Sequence, residues 1–170
     1  DRPDNPRVRR VTRPIRIIAI SLTQRLIALD PDNAQEYQRL QEDFQRRWQV
    51  AMTGWKQQVK PLRGQKIVTH HSSFSYLINW LKMDRIATIE TKPGIPPSSA
   101  HLSSLLKAVT INPPKYLLRT PYANAKPSRW LSEKTGIKMI VLPYSTGEDY
   151  IAENLFELFD VTLSLLLEEK

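Results

Sequence analysis

Apolar residues recur every three or four positions through the first third of the chain and then gather into short unbroken runs. Ala34, Tyr37, Leu40, Phe44, Trp48, Met52, Trp55 and Val59 make one stripe. On a helix of about 3.6 residues per turn that stripe lines a single face, and Gln, Glu, Asp, Arg and Lys fill the other. The spacing predicts a long amphipathic helix over residues 33–60. A stripe this aromatic packs against a domain more readily than it lies on a membrane surface. Before it, Ile15 to Leu29 predicts another helix, ended by Asp30-Pro31, with Asp32 or Asn33 placed to cap the next. Pro61 and Gly64 close the long helix. Pro3, Pro6 and Pro14 make residues 1–14 irregular.

From Lys66 the rhythm changes. The β-prone runs Lys66–Thr69, Arg85–Ile89, Tyr116–Arg119 and Met139–Leu142 alternate with helical stretches at Phe74–Leu81, Ser98–Thr110, Lys126–Thr135 and Asp149–Leu167. Strands separated by helices predict βαβ units. The fold expected is α/β: a four-stranded, mainly parallel sheet with helices on both faces, preceded by the long amphipathic linking helix. The organisation expected is an irregular basic segment over 1–14, a helical segment over 15–64 and an α/β lobe over 65–170. In such sheets ligands bind beyond the carboxyl ends of the strands, which directs attention to the residues just after each run.

The first run is followed by His70-His71-Ser72-Ser73-Phe74. Neutral imidazole suits zinc. Adjacent residues leaving a strand point in different directions, so one histidine of the pair faces the cleft. The competing role is a histidine hydrogen-bonded at a helix start. The second run leads into Glu90-Thr91-Lys92-Pro93-Gly94-Ile95-Pro96-Pro97, a stiff loop, after which Ser98 or Ser99 can cap the helix carrying His101. His101 lies within that helix and reads as structural. After the fourth run, Glu148 or Asp149 can complete a site with histidine, or serve as a helix N-terminal acid.

Composition narrows the chemistry further. The 170 residues contain no cysteine, which removes disulfides, thiolate ligands and cysteine nucleophiles. Five glycines cannot supply a dinucleotide fingerprint, and neither a phosphate-binding loop nor a Gly-x-Ser-x-Gly or His-Glu-x-x-His motif is present. The reading is therefore a binding protein and not an enzyme. The net charge of +8 is uneven: six arginines lie within residues 1–16, and seven acids lie in the last 24. No aromatic residues are interleaved with those arginines, so no nucleic-acid partner is expected.

Together the motifs resemble those of a known family. Pro-Asp-Asn-Ala at 31–34 opens the long helix and Pro-Leu-Arg-Gly at 61–64 ends it. Val-Thr-His-His at 68–71 is followed by Ile-Glu-Thr-Lys-Pro-Gly-Ile-Pro-Pro-Ser at 89–98 and His-Leu at 101–102. Leu-Ser-Glu-Lys-Thr-Gly at 131–136 and Leu-Phe-Glu-Leu-Phe-Asp at 155–160 complete the series. This pattern resembles the zinc/manganese-binding solute-binding proteins of ABC importers, and specifically their C-terminal lobe with its linking helix.

The resemblance implies a periplasmic protein (no signal peptide is visible in this chain) that receives Zn²⁺ or Mn²⁺ as cargo and presents it to an ABC permease. It implies His71 as a metal ligand, with a carboxylate near Glu148 or Asp149. It places Asn5-Pro6-Arg7 where the family has Asn-Pro-His. Arg7 cannot ligate a metal and brings positive charge toward the cargo. The remaining donors would come from an N-terminal lobe outside these residues or from a second copy of the chain, so this chain alone is expected to bind metal weakly. The alternative is a degenerate or truncated scaffold without metal, pairing through an exposed apolar face.

Overall fold

The computed structural model describes residues 12–92, 94–147 and 151–168. The chain divides into two compact units at Gln58/Val59.

The first unit holds α1 (Thr12–Leu29), a 3-10 turn over Pro31–Asn33, and α2 (Ala34–Gln58). The junction is fixed by side chains. Asp30 Oδ2 accepts from both Asn33 Nδ2 and the Tyr37 hydroxyl, each at 2.8 Å. On α2 the expected stripe is present. Phe44 stacks on Trp48 at 5.9 Å, and Trp48 meets Trp55 edge-on at 5.4 Å. Trp48, Met52 and Trp55 are buried, and the polar face carries Glu36–Arg39 and Asp43–Arg47 ion pairs at the one-turn spacing.

The second unit is the α/β lobe. Its strands are β1 (Lys66–Thr69), β2 (Asp84–Thr88), β3 (Tyr116–Arg119) and β4 (Lys138–Val141). Its helices are α3 (Ser75–Leu81), α4 (Ser99–Ile111), α5 (Ala125–Thr135) and α6 (Leu155–Leu167). The strands lie in the order β2-β1-β3-β4, and every pairing is parallel. Right-handed crossovers then dictate the layers. The step from β1 to β2 runs one way across the sheet, while the steps to β3 and β4 run the other, so α3 lies on the face opposite α4 and α5.

Packing bears this out. Val68 and Leu117 sit in one cluster with Leu105 and Val109 of α4 and Leu131 of α5. Residues next in the strands point the other way. The Tyr116 hydroxyl donates to the Leu166 carbonyl of α6 at 3.1 Å, and Trp80 of α3 meets Phe159 of α6 edge-on at 6.0 Å. Helices therefore cover both faces, and the sheet is a continuous apolar layer: Ile67, Val68, Leu117 and Leu118 are at most 1% exposed.

The helix expected from Asp149 begins at Leu155 instead. Asn154 stops it, its side-chain oxygen accepting from the Phe156 and Glu157 amides. Upstream, the Gly147 amide donates to the Ala152 carbonyl at 3.2 Å, and residues 151–154 are not helical.

Candidate functional site

The direction of winding reverses between β1 and β3, and the carboxyl ends of those two strands frame the crevice where a doubly wound sheet receives its ligand. His70 and His71 leave β1 there, and Arg119 ends β3 with Thr120 following it.

The two histidines have separate surroundings. His70 is buried, 2% exposed. Its Nδ1 lies 2.6 Å from Ser128 Oγ on α5, and its Nε2 lies 3.2 Å from Glu90 Oε1 in the loop after β2. An ionised carboxylate only accepts, so Nε2 carries the proton in the bond to Glu90. Nδ1 of the neutral ring then accepts from the Ser128 hydroxyl. Both ring nitrogens are used.

His71 is partly exposed. Its Nε2 lies 3.1 Å from Oγ of Ser72, an exposed neighbour whose side chain can turn away, whereas its Nδ1 is buried without a partner in the protein. Nε2 is thus the ring nitrogen on the side of the exposed Ser72 hydroxyl. Adjacent residues leaving a strand point in different directions, and here His70 is buried while His71 is partly exposed.

Thr69 Oγ1, His71 Nδ1 and Arg119 Nε are buried atoms with no protein partner, and buried polar atoms in folded proteins are nearly always paired. Arg119 shapes the adjoining loop by donating from Nη2 to the Pro121 and Ala123 carbonyls at 3.0 and 2.6 Å. Burial, followed by the nearby charge of Arg129, holds its guanidinium below the ordinary value.

Around the rim, Tyr144 stands edge-on to Tyr122 at 5.3 Å and to Phe74 at 6.5 Å. That contact joins the loops after β1, β3 and β4. Phe74 holds φ at 63°, a left-handed conformation that is costly for a bulky residue and is found chiefly where surrounding structure imposes it.

Other candidates sort differently. His101 Nε2 lies 3.2 Å from the Thr88 carbonyl, and its amide is capped by Ser98 Oγ, so this histidine ties α4 to β2. Glu148, Asp149 and the Asn5-Pro6-Arg7 segment lie outside the described residues. Among the described residues no three His, Asp or Glu side chains gather closely enough to hold a metal, and no helix is long and apolar enough to cross a membrane.

Ser128, His70 and Glu90 do form a Ser–His–carboxylate chain. Ser128 is completely buried, however, which keeps a substrate carbonyl from its hydroxyl. Sequence reasoning missed Ser128. The available signal was a small polar residue one turn before Leu131, on the helix face that packs on the sheet.

The strand order and parallel pairing define an α/β lobe of the doubly wound type. The chain belongs to the ZnuA family, zinc-uptake complex component A, periplasmic, whose model matches residues 12–166. It is a family of transport binding proteins.

Among solved structures, the crystal structure of ZnuA aligns with TM-score 0.77 at 19% identity, covering 95% of this chain and 60% of that one. The solute-binding protein FpvC from Pseudomonas aeruginosa, in complex with Mn²⁺, aligns with TM-score 0.70 at 20% identity over 86% of this chain and 55% of its own. A mutant of the laminin-binding adhesin Lmb from Streptococcus agalactiae aligns with TM-score 0.63 at 25% identity over 85% and 56%. The chain thus spans between 55% and 60% of the length of these three proteins. No curated protein matches it.

Proposed function

We propose that this chain is the C-terminal, metal-receiving lobe of an ABC importer's solute-binding protein, working in the periplasm on Zn²⁺ or Mn²⁺. His71 Nε2 is the ligand it contributes. Glu148 or Asp149 supplies a carboxylate from the segment after β4, and the other donors belong to a second lobe or a second copy of the chain. The cargo is held where the facing surfaces close on one another and is passed to a membrane permease. Closed zinc sites take four ligands, so this chain by itself binds the ion weakly.

What supports the reading is the placement of His71: partly exposed, at the carboxyl end of β1, beside the switch point, in a chain of the zinc-uptake family. Family membership favours it over a scaffold without metal. Calorimetric titration with Zn²⁺ and Mn²⁺, on the chain and on His71→Ala, tests it. Binding that the substitution abolishes supports the reading, and binding that survives the substitution contradicts it.

A further inference from the structure

We propose that Glu90, His70 and Ser128 are positioning residues that fix the direction in which His71 presents its imidazole, so that the affinity of the site for metal depends on three side chains that never touch the ion. The proposal rests on the reading of His71 as a ligand and extends it to His70, one residue before it, and to the two side chains that hold the His70 ring.

The geometry that carries it is the anchoring of His70. Its backbone amide donates to the Leu118 carbonyl at 2.8 Å, and its carbonyl accepts from the Glu90 amide at 2.7 Å. Its ring is held at both nitrogens, by Ser128 at 2.6 Å and by Glu90 at 3.2 Å. Four bonds from three separate parts of the lobe (β3, the loop after β2, and α5) therefore meet on one residue. The ring is shielded from water, where hydrogen bonds hold most firmly and loss of a partner is least well compensated.

His71 follows directly. Its own side chain has no comparable anchor, because Nδ1 has no partner in the protein and Nε2 meets only the exposed Ser72. At the far end of the loop Phe74 is set at φ 63°, and its ring rests on Tyr144. The His71–Ser73 segment is thus held at His70, at Phe74 and by the Ser75 hydroxyl, which donates to the Ser72 carbonyl at 2.7 Å, and the His70 end is the one that sets the path of the chain into His71. Releasing Glu90 or Ser128 frees the His70 ring and loosens that end. His70 cannot take over as ligand, since both of its nitrogens are engaged.

The test compares the intact chain with His71→Ala, Glu90→Ala, Glu90→Gln and Ser128→Ala. Zinc affinity is measured by calorimetry, and the visible absorption of bound Co²⁺ reports coordination geometry. Folding is checked in each variant by near-ultraviolet circular dichroism. Outer groups that orient metal ligands are worth about 10- to 100-fold in affinity.

The expectation is a loss of about 10-fold in Glu90→Ala, the lower end of that range, with a changed Co²⁺ spectrum. Recovery is expected in Glu90→Gln, whose amide oxygen still accepts from Nε2. Ser128→Ala gives a second, independent loss should Glu90→Ala fail to fold. If Glu90→Ala and Ser128→Ala bind zinc as tightly as the intact chain while His71→Ala does not bind, the positioning role is overturned and the ligand assignment stands. Weaker binding with an unchanged Co²⁺ spectrum overturns the positioning role as well, since it marks general destabilisation. If the intact chain binds no zinc, both fall together.

Discussion

Ser128 Oγ and His70 Nδ1 lie 2.6 Å apart although 58 positions separate them in the chain, and both side chains are buried. The bond crosses from α5 to the end of β1, so it reports on whether the lobe is correctly closed at the crevice. Ser128→Ala removes the donor and leaves a buried imidazole nitrogen unpaired, which costs about 1–3 kcal/mol. Urea denaturation of the two proteins measures the difference. A variant as stable as the parent would mean that the nitrogen finds another partner.

The sheet's dependence on α4 and α5 yields a sharper contrast. Leu117 is fully buried in the cluster with Leu105, Val109 and Leu131, whereas Val141 on the outer strand is 38% exposed. Leu117→Ala should cost about 2–5 kcal/mol through lost burial and the cavity left behind. Val141→Ala, with its side chain partly in water, should cost less than about 1 kcal/mol. Equal losses in thermal or chemical unfolding would contradict the layer assignment.

On the other face, α6 is held by two polar devices that can be removed separately. Tyr116→Phe deletes the hydroxyl that reaches the Leu166 carbonyl, for about 0.5–1.5 kcal/mol. Asn154→Ala deletes the cap shared by the Phe156 and Glu157 amides, for about 1 kcal/mol. The two sites lie at opposite ends of the helix, so the double variant should show the sum of the single losses. Hydrogen exchange of α6 amides would locate each loss.

The turn between α1 and α2 carries a pH signature. Bonds from the Asn33 amide first and the Tyr37 hydroxyl second hold the Asp30 carboxyl below its ordinary value of 3.8. A depressed carboxyl stabilises the folded turn at neutral pH. That contribution is lost as pH falls below the ordinary value and through the depressed one. Titration of the Asp30 carboxyl carbon by NMR should therefore run below 3.8 and move back up in Asn33→Ala, and by a smaller amount in Tyr37→Phe. An unshifted titration in the parent would remove this account of the turn.

Much of this architecture was legible because its signals are local. The unbroken runs Lys66–Thr69 and Tyr116–Arg119 are strands with those bounds, since a strand buried on both faces has no polar alternation to blur it. The stripe from Tyr37 to Trp55 marks α2 because aromatic residues at helical spacing have no other economical arrangement. The start of α6 was misplaced by six residues, from Asp149 to Leu155. Charged and apolar residues continue the helical rhythm upstream, but Asn154 caps the helix and the Gly147–Ala152 bond competes with it.

The candidate site was half legible. A histidine pair after a strand could be read from sequence, along with the rule that only one of the two faces outward. Periodicity did not say which one faces inward, since a contact between residues 58 apart leaves no such trace; the family resemblance is what pointed to His71. Glu90 was visible only as part of a loop motif, because its partner lies on the neighbouring strand's end.

The most direct test follows the ring nitrogens of His70, His71 and His101 by ¹⁵N NMR while Zn²⁺ is added to the chain. Coordination through His71 predicts that its Nε2 resonance moves progressively with zinc, while His70, engaged by Ser128 and Glu90, and His101, engaged by the Thr88 carbonyl, stay in place. Movement of His70 or His101 with His71 unchanged, or no movement of any histidine, would contradict the assignment of His71 as the lobe's metal ligand.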